Sequence, residues 1–501
     1  MEKLEETRRD LNSYVDAHKA LMSPIRRMPP DVLSEIFIAC LPTHRNCVMS
    51  ATEPPVLLGR VCSSWRALSL ETPRLLSSLH VVEVNQQFKG YGDISDKLTL
   101  RLETMKMWLM RAGQCPLSIS LQGQFYRSPN YTPPLTTAIA NEPVRDEENP
   151  INLFLAELIQ FASRWRRVGF VLTSDALHAL GHLTVEDVPL LEDFSVSVTD
   201  RVGLLPTDGP SDFGWADLQL LKSPLLTRFS GSGRDFDNLR PIPLRWGVLR
   251  ELSIGGPAWE SGLDGERMLE LLSMCPQLRF CKLVVNASPD PLEHPLVELP
   301  CLHTLHMDLG SVSSSVLDKL SFPKLRTLSF RGDGKRLPAF VGSCRRLASL
   351  TVETTSFDTY EVEETLRALP STTRHVSLHQ YGPVGMHYMS PDDRVLEILA
   401  QILPELESLG IGFNSTVSDT AIEQFVTKRM AMGETPSLKQ LRIMLGRPMK
   451  LDIETNMKQY TERGLELDLS YADAETSDWS PWYGLQDAPS RWGPAWGFPV
   501  W

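Results

Sequence analysis

Long apolar runs are missing from this chain: nowhere in its 501 residues does one approach the roughly 18 consecutive apolar residues that a membrane-crossing helix needs. The opening residues, Met1 to Asp10, carry too many charges for a secretory signal. A surplus of positive charge is missing too, since 50 Lys and Arg stand against 62 Asp and Glu, a net −12 at pH 7. A field of that sign repels nucleic acid and anionic lipid, so a role as a general polyanion or membrane binder is excluded. Cysteine is sparse. The eight, at positions 40, 47, 62, 115, 275, 281, 301 and 344, form no Cys-x-x-Cys pair and read as reduced side chains of a cytoplasmic or nuclear protein.

Catalytic signatures are absent as well. His294, Cys301, His303 and His306 lack the paired spacing of metal ligands. Ser230-Gly-Ser-Gly-Arg234 and Arg331-Gly-Asp-Gly-Lys-Arg336 do not lead from a strand into a phosphate-gripping Gly-Lys-Ser/Thr, and both read as turns. There is no nucleophile elbow, kinase set or zinc-protease motif. The expectation is a chain with no catalytic residue, no metal and no cofactor.

What is present begins at Ser23. Pro29 and Pro30 preset a first helical turn, Asp31 sits at its positive end and Pro42 stops it. Leu33, Ile36, Phe37, Cys40 and Leu41 fall at i, i+3, i+4, i+7 and i+8, one apolar stripe. Leu58, Val61, Cys62, Trp65 and Leu68 repeat that spacing, which predicts a second helix closed by Pro73. A helical module of roughly 50 residues buries too little surface to stand alone, so it must lean on the rest of the chain or on another protein.

The paired phrases Ile25-Arg-Arg-Met-Pro-Pro-Asp-Val-Leu-Ser-Glu-Ile-Phe37 and Val61-Cys-Ser-Ser-Trp-Arg66 resemble an F-box of the kind common in mushroom-forming fungi. The resemblance covers about a tenth of the chain. It implies docking on the Skp adaptor of a cullin-RING ubiquitin ligase through a module built from Pro29, Pro30, Leu33, Ile36, Phe37, Leu41, Val61, Cys62 and Trp65, some of them internal core.

Beyond the module a phrase recurs, apolar-x-x-apolar-x-apolar. Clear copies begin at Leu76, Trp165, Leu191, Leu249, Leu302, Leu325, Leu347, Leu406 and Leu438, weaker ones at Leu226, Leu278 and Thr373, and Leu465 to Leu469 reads as a terminal strand. The spacing, roughly 22 to 35 residues, is that of leucine-rich repeats with insertions. Alternate side chains of each copy point inward, and one copy cannot bury its inner face alone, which predicts parallel stacking. Helical returns are expected at 152–162, 265–274, 316–320, 361–369, 394–402 and 420–430.

The predicted fold is therefore α/β: a helix over 1–22, an F-box-like helical module over 23–81, and an irregular leucine-rich-repeat solenoid over 82–470. That solenoid is a parallel ladder with helices on its outer face and insertions at 127–150, 200–216 and 380–392. A Trp, Pro and Gly-rich tail, 471–501, reads as a cap on the open end of the solenoid, with a short recognition segment or disorder as the alternatives. The residues between the last two apolar positions line the concave face: Ser195, Ser253, His306, Ser329, Thr351, Gly410 and Arg442. Small hydroxyls dominate, with charge at only one end, and the stacked Asp, Lys and Arg that acid-base chemistry requires are missing from that column. The expected role is that of a non-catalytic substrate receptor, with a Skp adaptor and an unknown protein target as partners. The alternative is a repeat scaffold unconnected with ubiquitin, whose helices merely cap it.

Overall fold

The computed structural model describes residues 5–9, 11, 12, 14, 15, 25, 28–83, 94–123, 150–198, 214–233, 242–255, 263–287, 293–310, 314–379, 392–414, 416–431 and 437–471. Most of the three expected insertions, and the tail beyond Tyr471, lie outside those residues. Of the expected first helix, 5–9, 11, 12, 14 and 15 are described and helical, with Leu11, Tyr14 and Val15 exposed. The chain divides into two compact units, Met1–Leu226 and Thr227–Trp501.

Unit 1 opens on α1 (Pro30–Ala39) and α2 (Ser63–Glu71). Pro29 stands at the N-cap with φ −57° and Pro30 follows at the first helical position, as the double proline predicts. The second helix starts later than its stripe suggests. Cys62 is extended, with φ −158° and ψ 172°, and caps α2, while Leu58–Arg60 forms a separate 3-10 turn. That extended residue re-phases the chain, so Leu58 turns into the core and Val61 out to solvent. Phe37 and Trp65 meet across the pair with ring centroids 4.8 Å apart.

Four parallel strands follow in order: β1 (Ser78–Val82), β2 (Leu117–Gln122), β3 (Trp165–Leu172) and β4 (Asp193–Val198). The returns carry α3 (Ile94–Arg111) and α4 (Pro150–Ile159), and a single helical turn at Ser174–Leu177. The loop between α1 and α2 reaches this ladder: the amide of His80 donates to the Cys47 carbonyl at 2.6 Å, and Val48 bridges His80 in parallel.

Unit 2 continues the same grammar over ten parallel strands in sequence order. They are β5 (Arg228–Ser232), β6 (Glu251–Ile254), β7 (Phe280–Ala287), β8 (Thr304–Asp308) and β9 (Thr327–Arg331), then β10 (Ser349–Glu353), β11 (His375–His379), β12 (Ser408–Asn414), β13 (Gln440–Leu445) and β14 (Glu466–Tyr471). The returns carry α5 (Gly265–Ser273), α6 (Leu337–Ser343), α7 (Thr359–Ala368), α8 (Asp393–Ile402), α9 (Asp419–Met430) and α10 (Glu454–Thr461), and the return at Ser314–Lys319 is a 3-10 helix. One strand per repeat, parallel pairing throughout and helices on the returns are the marks of a leucine-rich-repeat ladder.

The recurrent phrase explains the packing rung by rung. Leu302, Leu325, Leu347, Leu406 and Leu438 enter from the turn before each strand, and pairs such as Leu305 with Met307 and Leu328 with Phe330 point inward; all are buried. Burying such a side chain stabilises by roughly 1.5–3 kcal/mol, whereas fixing each residue of a repeat costs about 1–2 kcal/mol, so a rung holds its shape only against its neighbours. Thr373 takes the leucine position of β11. It is fully buried, and its hydroxyl donates to the Leu347 carbonyl at 3.0 Å, which satisfies the one polar atom that would make it a poor substitute.

Candidate functional site

Two surfaces carry the residues that the sequence singles out, one in each unit. On the helix pair the apolar set splits three ways. Leu33 and Phe37 are core, Ile36, Leu41, Cys62 and Trp65 are half-buried, and Pro29, Pro30 and Val61 face solvent. Five apolar side chains of the module lie open: Met28, Val32, Leu57, Leu70 and Val61, the last 57% exposed. Glu35 on α1 pairs with Arg74 at 2.6 Å, which ties the helix to the 3-10 turn Pro73–Leu76. The module is thus fastened on one side and apolar and uncovered on another.

The second surface is the outward column of the ladder. In unit 1 it reads His80, Ser120, Gly169, Ser195 in register. Its first rungs are already engaged. Asn46 donates to the Ser120 hydroxyl at 2.9 Å and accepts from Ser78 and Ser118, and His80 shares a hydrogen bond with Ser120 at 2.8 Å. Burial, helped by the nearby Arg45, pulls His80 below the usual imidazole range.

In unit 2 the column runs Ser230, Ser253, Lys282, His306, Ser329, Thr351, Ser377, Gly410, Arg442, Asp468, one residue per strand from β5 to β14. The register thus places Ser253, His306, Ser329, Thr351 and Arg442 together, as their spacing implies. It also adds Ser230, Lys282, Ser377 and Asp468, which belong to the weaker copies and the terminal strand, so charge is not confined to one end. Ser329 is 7% exposed and offers little surface.

Lys282 is half-buried, and desolvation holds its ammonium below the usual lysine range although Asp308 pulls the other way. The same burial, with Lys282 beside it, lowers His306. Two residues further along β8, β9 and β10 a second row alternates in sign: Arg331 bonds Glu353 at 2.7 Å and approaches Asp308 at 3.4 Å. Burial lifts Glu353 above the ordinary carboxylate range despite that arginine.

At β12 the face dips. Gly410 and Gly412 remove two side chains from the outward rows, and a hollow of about 260 Å³ opens there, lined by Thr351, Ser377, His379, Gln440, Arg442 and Met444 among others. The glycines are needed for close approach. A Cβ on Gly410 would stand 2.7 Å from the Ser377 hydroxyl, and one on Gly412 2.8 Å from Nδ1 of His379. Ser377 and His379 share a hydrogen bond at 2.8 Å, and burial depresses the imidazole. Arg442 closes the far side, its Nε donating to Asp468 at 3.0 Å. The hollow thus offers hydroxyls, an imidazole and one guanidinium, which suits hydrogen bonding to a polar segment.

Among the described residues no group of three or more His, Cys, Asp or Glu side chains is placed to hold a metal ion. No described helix is long and apolar enough to cross a membrane.

No protein-family model matches this sequence, and no curated protein matches it. Solved structures that are similar in part include two complexes. The crystal structure of the yeast Rad7 and Elc1 complex aligns over 88% of this chain and 97% of that chain, at 14% identity and a TM-score of 0.41. The mouse RP105/MD-1 complex aligns over 80% of this chain and 61% of that one, at 15% identity and a TM-score of 0.38. Similarity at this level carries no function across, so the function has to be sought in the chain's own geometry.

Proposed function

We propose that this chain is a substrate-receptor subunit of a Skp-cullin-F-box type ubiquitin ligase, acting in the cytoplasm or nucleus. The helix pair engages a Skp adaptor, and the outward column of unit 2 holds a protein target. The observation that carries this reading is the set Met28, Val32, Leu57 and Val61, exposed apolar side chains on a module that resembles an F-box. A small module gains by covering such side chains with a partner. The chain supplies no catalytic residue. Its contribution is position: holding a target beside a ubiquitin-loaded enzyme raises the effective concentration of the reacting groups.

The scaffold reading has its own support, since Asn46, Cys47 and Val48 seat the α1–α2 loop on the ladder edge, as a cap would. Co-purification of the full chain with a Skp adaptor separates the two. Wild type is expected to retain the adaptor, and Val32→Asp with Val61→Asp to lose it while keeping its thermal transition. Leu33 and Phe37 are unsuitable for this test because both are core. A folded wild type that fails to bind favours the scaffold, and retention by the double variant removes these side chains from the interface.

A further inference from the structure

Unit 1 holds a second feature that neither surface uses. Between α2 and α3 runs a groove of about 470 Å³. From α3 it takes Thr104, Met107, Trp108 and Arg111, spaced i, i+3, i+4 and i+7; from α2 it takes Arg66, Ser69 and Leu70, spaced i, i+3 and i+4. Each helix therefore gives one continuous face to the groove, and nothing among the described residues fills the space between those faces. Leu70 is 46% and Met107 48% exposed.

The row on α3 continues to Leu100, one turn before Thr104 and 64% exposed. These side chains explain why α3 escapes a periodicity search: much of its apolar content is not spent on the core. Val32 and Val61, the side chains proposed to meet the adaptor, do not line this groove.

One further observation says what belongs there. The groove is lined by three arginines, Arg60, Arg66 and Arg111, in a chain of net charge −12. Arg66 donates to the Gly59 carbonyl at 2.8 Å and Arg60 to the Ala51 carbonyl at 3.4 Å, and among the described residues none of the three has a carboxylate partner. Trp108 lines the same groove and is 7% exposed, so its ring forms part of the groove's apolar wall.

We propose that this groove docks an acidic amphipathic helix of a partner protein. Its apolar side chains would lie along Leu70 and Met107, and its carboxylates would meet the arginines. Two helix faces lining one groove favour a third helix over an extended strand, since helix side-chain rows fit helix grooves.

The test is a display library of amphipathic helices, with randomised charge on the polar face, selected against the folded full-length chain. Sequences rich in Glu and Asp beside Leu or Phe are expected. The selected peptide should lose at least about tenfold in affinity to Arg60→Glu with Arg111→Glu, and its binding should weaken steeply with salt. Met107→Ala reports the apolar contact independently. Enrichment of basic or uncharged helices, no enrichment at all, or equal binding to the Arg60→Glu/Arg111→Glu chain would overturn the proposal. Adaptor co-purification with that same variant is expected to stay intact, so failure here and failure of the receptor reading give different results.

Discussion

Arg447 and Asp419 make a sharp test of how the end of the ladder is held. Arg447 is 9% and Asp419 3% exposed at the side chain, joined at 2.7 Å. Arg447 also donates to the Val417 carbonyl at 2.8 and 3.1 Å, while Asp419 accepts from the amides of Lys450 and Leu451 and from the Tyr471 hydroxyl. One carboxylate thus pins α9, the turn after β13 and the last residue of β14. Replacing Arg447 with Met keeps most of the apolar stem but strands that carboxylate, and breaking a buried pair from one side costs about 3–5 kcal/mol.

At about 1.4 kcal/mol per factor of ten, amide exchange over 417–451 should speed by roughly one hundred to several thousand times, read by mass spectrometry. The double change Arg447→Met with Asp419→Asn should recover much of that loss, because no uncompensated charge remains. The pH dependence has a definite sign. Burial pushes the Asp419 carboxyl up, but Arg447 and the two amides outweigh it and hold it below its ordinary value of 3.8. The stability it contributes is therefore complete above that ordinary value and drains away as pH falls through the lower folded one. In Arg447→Met this acid-labile share should vanish. Equal exchange in the single and double variants would refute the reasoning, since the cost would then lie in packing and not in a buried charge.

Two other outcomes are expected from the same geometry. Gly412→Val places a side chain where Nδ1 of His379 now stands, so it should displace that imidazole, fill the hollow and abolish target retention while sparing adaptor binding; retention of both would remove the hollow from the target site. Thiol labelling of the native chain should be graded: Cys40 is exposed and should react first, whereas burial raises Cys47 and Cys344, pushes Cys275 up to about 12 and Cys281 further, so these four should label only on unfolding. Fast labelling of Cys281 would contradict its place inside β7.

Much of the ladder is legible in the sequence because its signal is chemical repetition. Nine clear copies of one phrase fall on strands or on the turns that enter them. The weaker copies are strands too, and each is weak for a visible reason. Thr373 replaces a leucine by satisfying its hydroxyl locally, Cys281 fills an inward slot of β7 as a small apolar group, and Gly231 leaves such a slot in β5 empty. The strand Leu117–Gln122 alternates well but lacks the leading leucine, so the phrase does not mark it. Helices α3, α6 and α10 escape the periodicity as well. α6 has a proline in its first turn and only seven residues, too few for a period to show.

The candidate site is legible in part, and the missing part changes where a target is to be sought. A column read from single strands treats every outward residue as equally available. Hydrogen bonding sorts them: Ser78, Ser118, His80 and Ser120 are engaged with one another or with Asn46, a residue of the α1–α2 loop far from Ser118 in the chain, and no pattern within a strand could show that. Polar groups already satisfied inside the protein gain little by exchanging one partner for another. The opening rungs of unit 1 are therefore spent on fastening the module, and binding capacity passes to unit 2, where Gly410 and Gly412 open the face and Lys282 and Arg442 bring charge to it. If a target is held by the outward column, charge changes at Arg442 should alter its retention and the change Ser120→Ala should not; the reverse ranking in a pull-down of the folded chain would return the site to unit 1.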